Sequence, residues 1–157
     1  MDIHYFESPL GTIKVSGDDA GITEVRFVDE LPNEGTSIPN SLAVCVQQLE
    51  EYFSGDRTVF DVTLNPQGTE FQCQIWNLLL HLPFGQTISY LKLSRHYGNT
   101  KAVRAVAAAI GKNPILVLIP CHRVIGSDGT LVGYAGGKKR KEQLLRLEGF
   151  PQQVSLL

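Results

Sequence analysis

Residues 89–111 read Ser-Tyr-Leu-Lys-Leu-Ser-Arg-His-Tyr-Gly-Asn-Thr-Lys-Ala-Val-Arg-Ala-Val-Ala-Ala-Ala-Ile-Gly, and this stretch decides the fold. Ser89 to His96 predicts a short helix, and Tyr97-Gly98-Asn99 a tight turn, because glycine followed by asparagine tolerates the backbone conformations that stop a helix. Thr100 to Gly111 predicts a second helix with Thr100 as its cap. Two short helices joined by three residues make a helix-turn-helix pattern. The second helix is unusual as a reader of base edges, because Ala102, Ala105, Ala107, Ala108 and Ala109 leave Lys101 and Arg104 as its main polar groups. Side chains that read the major groove are usually Arg, Asn or Gln. A smooth helix suits the narrow minor groove, where phosphates and shape carry the binding; a packed core helix explains the same alanines.

The surrounding chain extends the pattern. Upstream, Thr69-Glu70-Phe71-Gln72 is a capping box, and Phe71, Ile75, Leu78 and Leu82 mark a helical face that Pro83-Phe84-Gly85 ends. Downstream, Gly126-Ser127-Asp128-Gly129 predicts a hairpin turn between short extended pieces, and residues 139–148 a last helix, so the half from residue 67 to 157 reads as a winged helix-turn-helix. Residues 1–66 are different. Strand patterns over roughly 3–7, 11–16 and 21–28, separated by turn residues, predict an antiparallel meander. A helix from Asn40 or Ser41 to Gly55 comes next, with Leu42, Cys45, Val46, Leu49 and Phe53 on one face. The class is α+β in two domains, 1–66 and 67–157, with Asn65-Pro66-Gln67-Gly68 as the linker.

The net charge of −2 conceals a split, because residues 1–68 carry three basic and twelve acidic side chains whereas residues 69–157 carry eleven basic and four acidic. A basic half joined to an acidic one suits a polyanion that touches only the former. No run approaches the ~20 apolar residues of a membrane helix, and Met1-Asp2-Ile3-His4 lacks the features of a signal peptide, so a cytoplasmic or nucleoid location is expected. Cys45, Cys73 and Cys121 are odd in number and far apart, which argues against a disulfide framework or a zinc site. Neither metal nor cofactor is expected.

Pro120-Cys121-His122-Arg123-Val124 follows the apolar run Ile115-Leu116-Val117-Leu118-Ile119 and places a nucleophile beside a base. Only a few per cent of a free thiol, pKa roughly 8.5, is thiolate at neutral pH, and an adjacent imidazole can take the proton during attack. Cys45 lies on an apolar stripe and reads as core. The run Lys138-Lys139-Arg140-Lys141 reads as a solvated face that can add phosphate attraction.

The ordered set Ile88-Ser89-Tyr90, Lys101-Ala102-Val103-Arg104-Ala105-Val106, Asn113-Pro114, Ile119-Pro120-Cys121-His122-Arg123-Val124, Gly133-Tyr134-Ala135-Gly136-Gly137 and Leu147-Glu148-Gly149 resembles the O6-alkylguanine-DNA alkyltransferases, almost continuously from Thr69 to Gly149. The N-terminal half matches loosely, and there the resemblance implies a ribonuclease-H-like domain. It implies a monomeric DNA repair protein that moves methyl or other alkyl groups from the O6 of guanine in double-stranded DNA irreversibly to Cys121, once per molecule, after flipping the base out from the minor-groove side. The O4 of thymine stays open as a second target. His122 would act through a water as base, and Glu148 would orient it. Tyr90 would promote nucleotide rotation and donate to the departing guanine, Asn113 would tie the recognition helix to the cysteine segment, and Arg104 would fill the vacated stack. Thr100, Lys101, Ala102, Ala105, Ala108 and Arg123 would meet DNA; Tyr134, Ala135, Gly136 and Val124 would line the base pocket. Ala107-Ala108 stands where glycines or a Gly-Ala pair are common, and Ala135 where some members have serine, which bears on the bulk of alkyl group accepted. The zinc site of some members has no ligand set here. Two other classes fit parts of the pattern: a protein that binds alkylated DNA without transfer, against which the intact Cys121 argues, and a winged-helix regulator, which a footprint on undamaged DNA would favour. A cysteine hydrolase is a weaker third.

Overall fold

The computed structural model describes residues 1–29, 37–131 and 133–150. The chain divides into two compact units, Met1–Gln67 and Gly68–Leu157. In the first, β1 (Asp2–Ser8), β2 (Gly11–Asp18) and β3 (Gly21–Phe27) form the expected antiparallel meander in the order β1-β2-β3. Helix α1 (Asn40–Phe53) closes one face. Ile13, Val15, Ile22 and Val25 of the sheet and Leu42, Cys45, Val46, Leu49 and Tyr52 of the helix are buried. Tyr52, rather than the expected Phe53, ends the buried stripe. After α1 the backbone returns beside β3, where Ile22 N–H donates to Thr63 O at 2.9 Å and Asn65 N–H to Ile22 O at 2.7 Å. The Gln48 amide clamps that return, accepting from Asp61 N–H at 2.8 Å and donating to Asp61 O at 3.3 Å.

The second unit begins with α2 (Glu70–Leu79), opened by the capping box: Thr69 Oγ1 accepts from Gln72 N–H at 3.1 Å and Gln72 Oε1 from Thr69 N–H at 2.9 Å. Its buried side chains are Ile75, Trp76 and Leu79, and Leu82 lies beyond the helix end. The expected face is thus rotated, because the bulky indole claims the core. Trp76 Nε1–H donates to the buried carbonyl of Ala109 at 2.8 Å, fixing α2 to the alanine-rich helix.

β4 (Ile88–Ser89) runs directly into α3 (Tyr90–Tyr97), with the Ser89 hydroxyl accepting from Lys92 N–H at 3.0 Å as cap. Gly98 adopts φ +101°, the left-handed conformation that ends α3 and that a side chain would oppose. Asn99, not Thr100, caps the next helical segment, its Oδ1 accepting from Lys101 N–H at 3.0 Å. Thr100–Ala102 is a single 3-10 turn, and α4 proper spans Val103–Gly111. Helix, turn and helix therefore stand where the sequence puts them, with the cap shifted by one residue. Past a one-turn 3-10 helix at Cys121–Arg123, β5 (Val124–Ile125) pairs in parallel with β4, Ile88 opposite Val124. The Gly126–Gly129 turn forms, closed by Gly126 N–H to Thr130 O at 2.8 Å. The strand before that turn also pairs with β4. α5 (Lys138–Leu147) completes the unit. No helix among the described residues is long and apolar enough to cross a membrane.

Candidate functional site

The cysteine segment is built from α4 outward. Asn113 is buried just past that helix, its Nδ2 donating to Ile119 O at 2.9 Å and its Oδ1 accepting from Ile115 N–H at 2.9 Å. One side chain thus folds residues 115–119 into a compact buried loop. Within it Leu118 N–H reaches Leu116 O at 2.8 Å, and Val117 sits at φ +70°. A β-branched residue is strained there, by about 1–3 kcal/mol, and persists where its surroundings over-determine the backbone. The apolar run is therefore a wound loop that delivers Cys121 to the start of the 3-10 turn.

Cys121 is 3% exposed. Burial pushes its thiol up to about 11, opposed by a hydrogen bond from Asn113 and the positive charge of Lys141. His122 is fully buried and its Nε2 lies 2.6 Å from Glu148 Oε2. Glu148, at the C-terminal end of α5, also receives Arg123 Nε–H on Oε1 at 2.8 Å and Arg123 NH2 on Oε2 at 3.0 Å. Burial alone would raise the Glu148 carboxyl, but the donors His122 and Arg123 overturn that and hold it at about 2, so it is an anion. Burial lowers the His122 imidazole below its usual range despite Glu148, with Arg123 and Lys141 acting in the same direction as burial. The resulting state is a neutral imidazole whose Nε2–H donates to a carboxylate. That tautomer leaves Nδ1 with the lone pair, and Nδ1 is buried with no hydrogen-bond partner among the described residues.

Arg123, expected at the DNA, is 6% exposed and committed inward: besides Glu148, its NH1 donates to Leu82 O at 2.5 Å. In the structure this guanidinium is held by Glu148 and the Leu82 carbonyl. Of the other DNA-facing candidates, Thr100, Lys101, Arg104, Ala105 and Ala108 are exposed and Ala102 is half-buried, whereas Val106, Ala109 and Ile110 face the core. The outer face of the helix is a smooth strip of small side chains with Lys101 and Arg104 on it.

Tyr90, at the first position of α3, is half-buried, and burial followed by the nearby Cys121 charge pushes its phenol up to about 12. Among the base-pocket candidates, Tyr134 and Val124 are buried, Gly136 is half-buried and Ala135 exposed. The residue missed by the sequence is Lys141, read as part of a solvated face and found 1% exposed. Its phase gave the signal: Lys141 precedes the buried Leu144, Leu145 and Glu148 by three, four and seven residues, which is the inner stripe of α5.

Comparison with known proteins places this arrangement. The family model "6-O-methylguanine DNA methyltransferase, DNA binding domain" matches residues 70–150, and "6-O-methylguanine DNA methyltransferase, ribonuclease-like domain" matches residues 1–66. A methylated-DNA–protein-cysteine methyltransferase of Methanosarcina acetivorans is 45% identical over 92% of this chain and 96% of its own. The crystal structure of the Mycobacterium tuberculosis O6-methylguanine methyltransferase superposes with a TM-score of 0.83 at 39% identity, covering 97% of each chain. A structure of the same mycobacterial protein in complex with DNA gives 0.83 at 41% identity over 92% of this chain and 90% of that one. The chain belongs to the 6-O-methylguanine-DNA methyltransferase family.

Proposed function

We propose that this member of the family repairs alkylated double-stranded DNA by transferring the alkyl group from guanine O6 to the sulfur of Cys121. The observation that carries the assignment is the orientation of His122, the residue next to Cys121: Nε2 is tied to an ionised Glu148 and the buried Nδ1 is left without a hydrogen-bond partner among the described residues. A thiol held near 11 is almost wholly protonated at neutral pH, so attack must be coupled to proton removal. His122 takes that proton through a bridging water. The sulfur forms a bond to the alkyl carbon, the carbon–O6 bond breaks with its electrons going to guanine, and the purine regains a proton. Tyr90, whose phenol stays protonated, donates to the departing base.

A thiol only 3% exposed cannot reach a base stacked inside a duplex, so the nucleotide must swing out, at a few kcal/mol of lost stacking. The smooth face of α4 lies against the minor groove, Arg104 fills the gap, and Tyr134 with the Ala135–Gly136 backbone walls the extruded base. The product is a thioether, whose carbon–sulfur bond neither a thiol nor water readily cleaves, so each molecule acts once, as a cytoplasmic monomer. Intact-mass measurement after mixing with excess O6-methylguanine oligonucleotide tests this directly. The expected result is one methyl per protein, on the peptide containing Cys121, with repaired guanine stopping at one equivalent. Binding without a mass change would make the chain a non-transferring reader of damage, and continued turnover would make it a hydrolase.

A further inference from the structure

Lysine is almost never fully buried unless its charge has a task, yet the Lys141 side chain is 1% exposed. Its Nζ lies 5.7 Å from the centroid of the Tyr90 ring, at the edge of cation–π range. The ring belongs to α3, and the 3-10 turn carrying Cys121 also packs against α5. Lys141 and Cys121 are close enough that the charge of each acts on the other. We propose that Lys141 is a positioning residue for the transfer: its ammonium, held over Tyr90, stabilises the negative charge that gathers on the Cys121 sulfur as the proton leaves. The proposal rests on Cys121 being the acceptor.

Among the described residues, the ionisable groups that act near Lys141 include Tyr90 on α3, Cys121 and His122 on the 3-10 turn and the Glu148–Arg123 pair bonded to His122 through Glu148. On its own helix, Glu142 is bridged to Arg146 at 2.6 Å. Burial brings Lys141 down to about 8, partly offset by the Cys121 charge. The ammonium is therefore present at neutral pH and lost in mildly alkaline solution. This gives the reaction a signature that a space-filling lysine would lack. Sulfur reactivity should climb with pH as the thiol ionises, then more shallowly above about 8, where the helping charge disappears.

The test is alkylation of the full-length protein by iodoacetamide, followed at the Cys121 peptide by mass spectrometry from about pH 6 to about pH 10. It needs no DNA, so failure of the acceptor assignment, seen as no methyl on Cys121 from the oligonucleotide, stays distinguishable from failure here. Folded Lys141→Gln should react at least about tenfold more slowly at neutral pH, one unit of thiol pKa or more, and lose the change of slope. A folded variant with the wild-type profile would overturn the proposal. Should Lys141→Gln not fold, wild type alone decides. The change of slope must coincide with the titration of Lys141 Nζ, followed by NMR of lysine-labelled protein, and a smooth profile through that titration would overturn the proposal equally.

Discussion

Replacing Glu148 by glutamine removes one charge and one acceptor from an enclosed site. The carboxylate receives three hydrogen bonds from His122 and Arg123, at 2.6, 2.8 and 3.0 Å, and its side chain has no exposure. An amide keeps one oxygen for Arg123 but turns an NH2 toward a second donor and leaves the guanidinium uncompensated. Breaking a buried pair from one side typically costs about 3–5 kcal/mol, and the surviving oxygen puts this case near the lower figure. At ~2–4 °C per kcal/mol for a chain of this size, the melting temperature should fall by about 6–12 °C. Loss of the carboxylate also frees His122 to place its proton on Nδ1, the atom required as base, so single-turnover transfer from an O6-methylguanine oligonucleotide should slow by roughly 10²- to 10⁴-fold. The pH dependence supplies a third reading. Glu148 is depressed from 4.5 to about 2 in the fold, so its stabilisation is complete above about 4.5 and disappears as pH falls toward 2. That acid-labile component should be missing from the variant. His122 is also depressed, from 6.5, so protonating it favours unfolding, and stability in both proteins should begin to decline as pH drops below 6.5. An unchanged transfer rate and an unchanged melting temperature would together refute the assigned tautomer and the buried-pair argument.

Cys121→Ser should bind alkylated DNA as wild type does yet leave it unrepaired, because a hydroxyl cannot match sulfur toward an alkyl carbon; mobility shift and mass spectrometry separate the two outcomes. Arg104→Ala should slow repair of duplex DNA more than transfer from free O6-benzylguanine, since only the duplex leaves a vacated stack to fill; equal losses in both assays would assign Arg104 to the pocket instead. Ala108→Leu puts bulk on the exposed strip of α4 with little change in helix propensity. It should weaken DNA binding about tenfold or more at constant salt while the melting temperature holds. An unaltered affinity would move the DNA to another face.

The parts of this fold legible from sequence are those set by local chemistry. The capping box at Thr69 and Gln72, the glycine stop at Gly98 and the turn at Gly126–Gly129 act over three or four residues, and each forms as read. Choices among distant partners were harder to read. Nothing local says that β5 pairs with β4, thirty-six residues earlier, or that Trp76 outcompetes its neighbours for the core by reaching Ala109 O. The inward partners of Arg123 were hidden for the same reason, because nothing local in the sequence says that Glu148 and the Leu82 carbonyl receive its guanidinium. Lys141 was legible in principle. Its basic neighbours suggested a solvated face, whereas its phase with Leu144, Leu145 and Glu148 pointed inward.

The buried side chains of this site suit the proposed single reaction per molecule. An exposed, ionised cysteine would be consumed by any passing electrophile or oxidant. Here burial pushes the Cys121 thiol up to about 11 and leaves it almost closed to solvent, so adventitious alkylation should be slow. The groups that would reverse that inertness are all internal: Asn113 and Lys141 favour the ionised sulfur, and in the proposed mechanism His122, pinned by Glu148, removes its proton. None of these can deliver a product until an alkyl carbon is presented in line with the sulfur, which in the proposed mechanism an extruded base does. Making the thiol freely reactive, for instance by exposing it, would therefore raise its rate with small electrophiles while reducing the fraction of molecules that survive to meet a lesion. Among variants in the loop 115–119 that expose Cys121 while leaving Asn113 in place, iodoacetamide reactivity at Cys121 and the yield of repaired guanine after storage in air should consequently move in opposite directions.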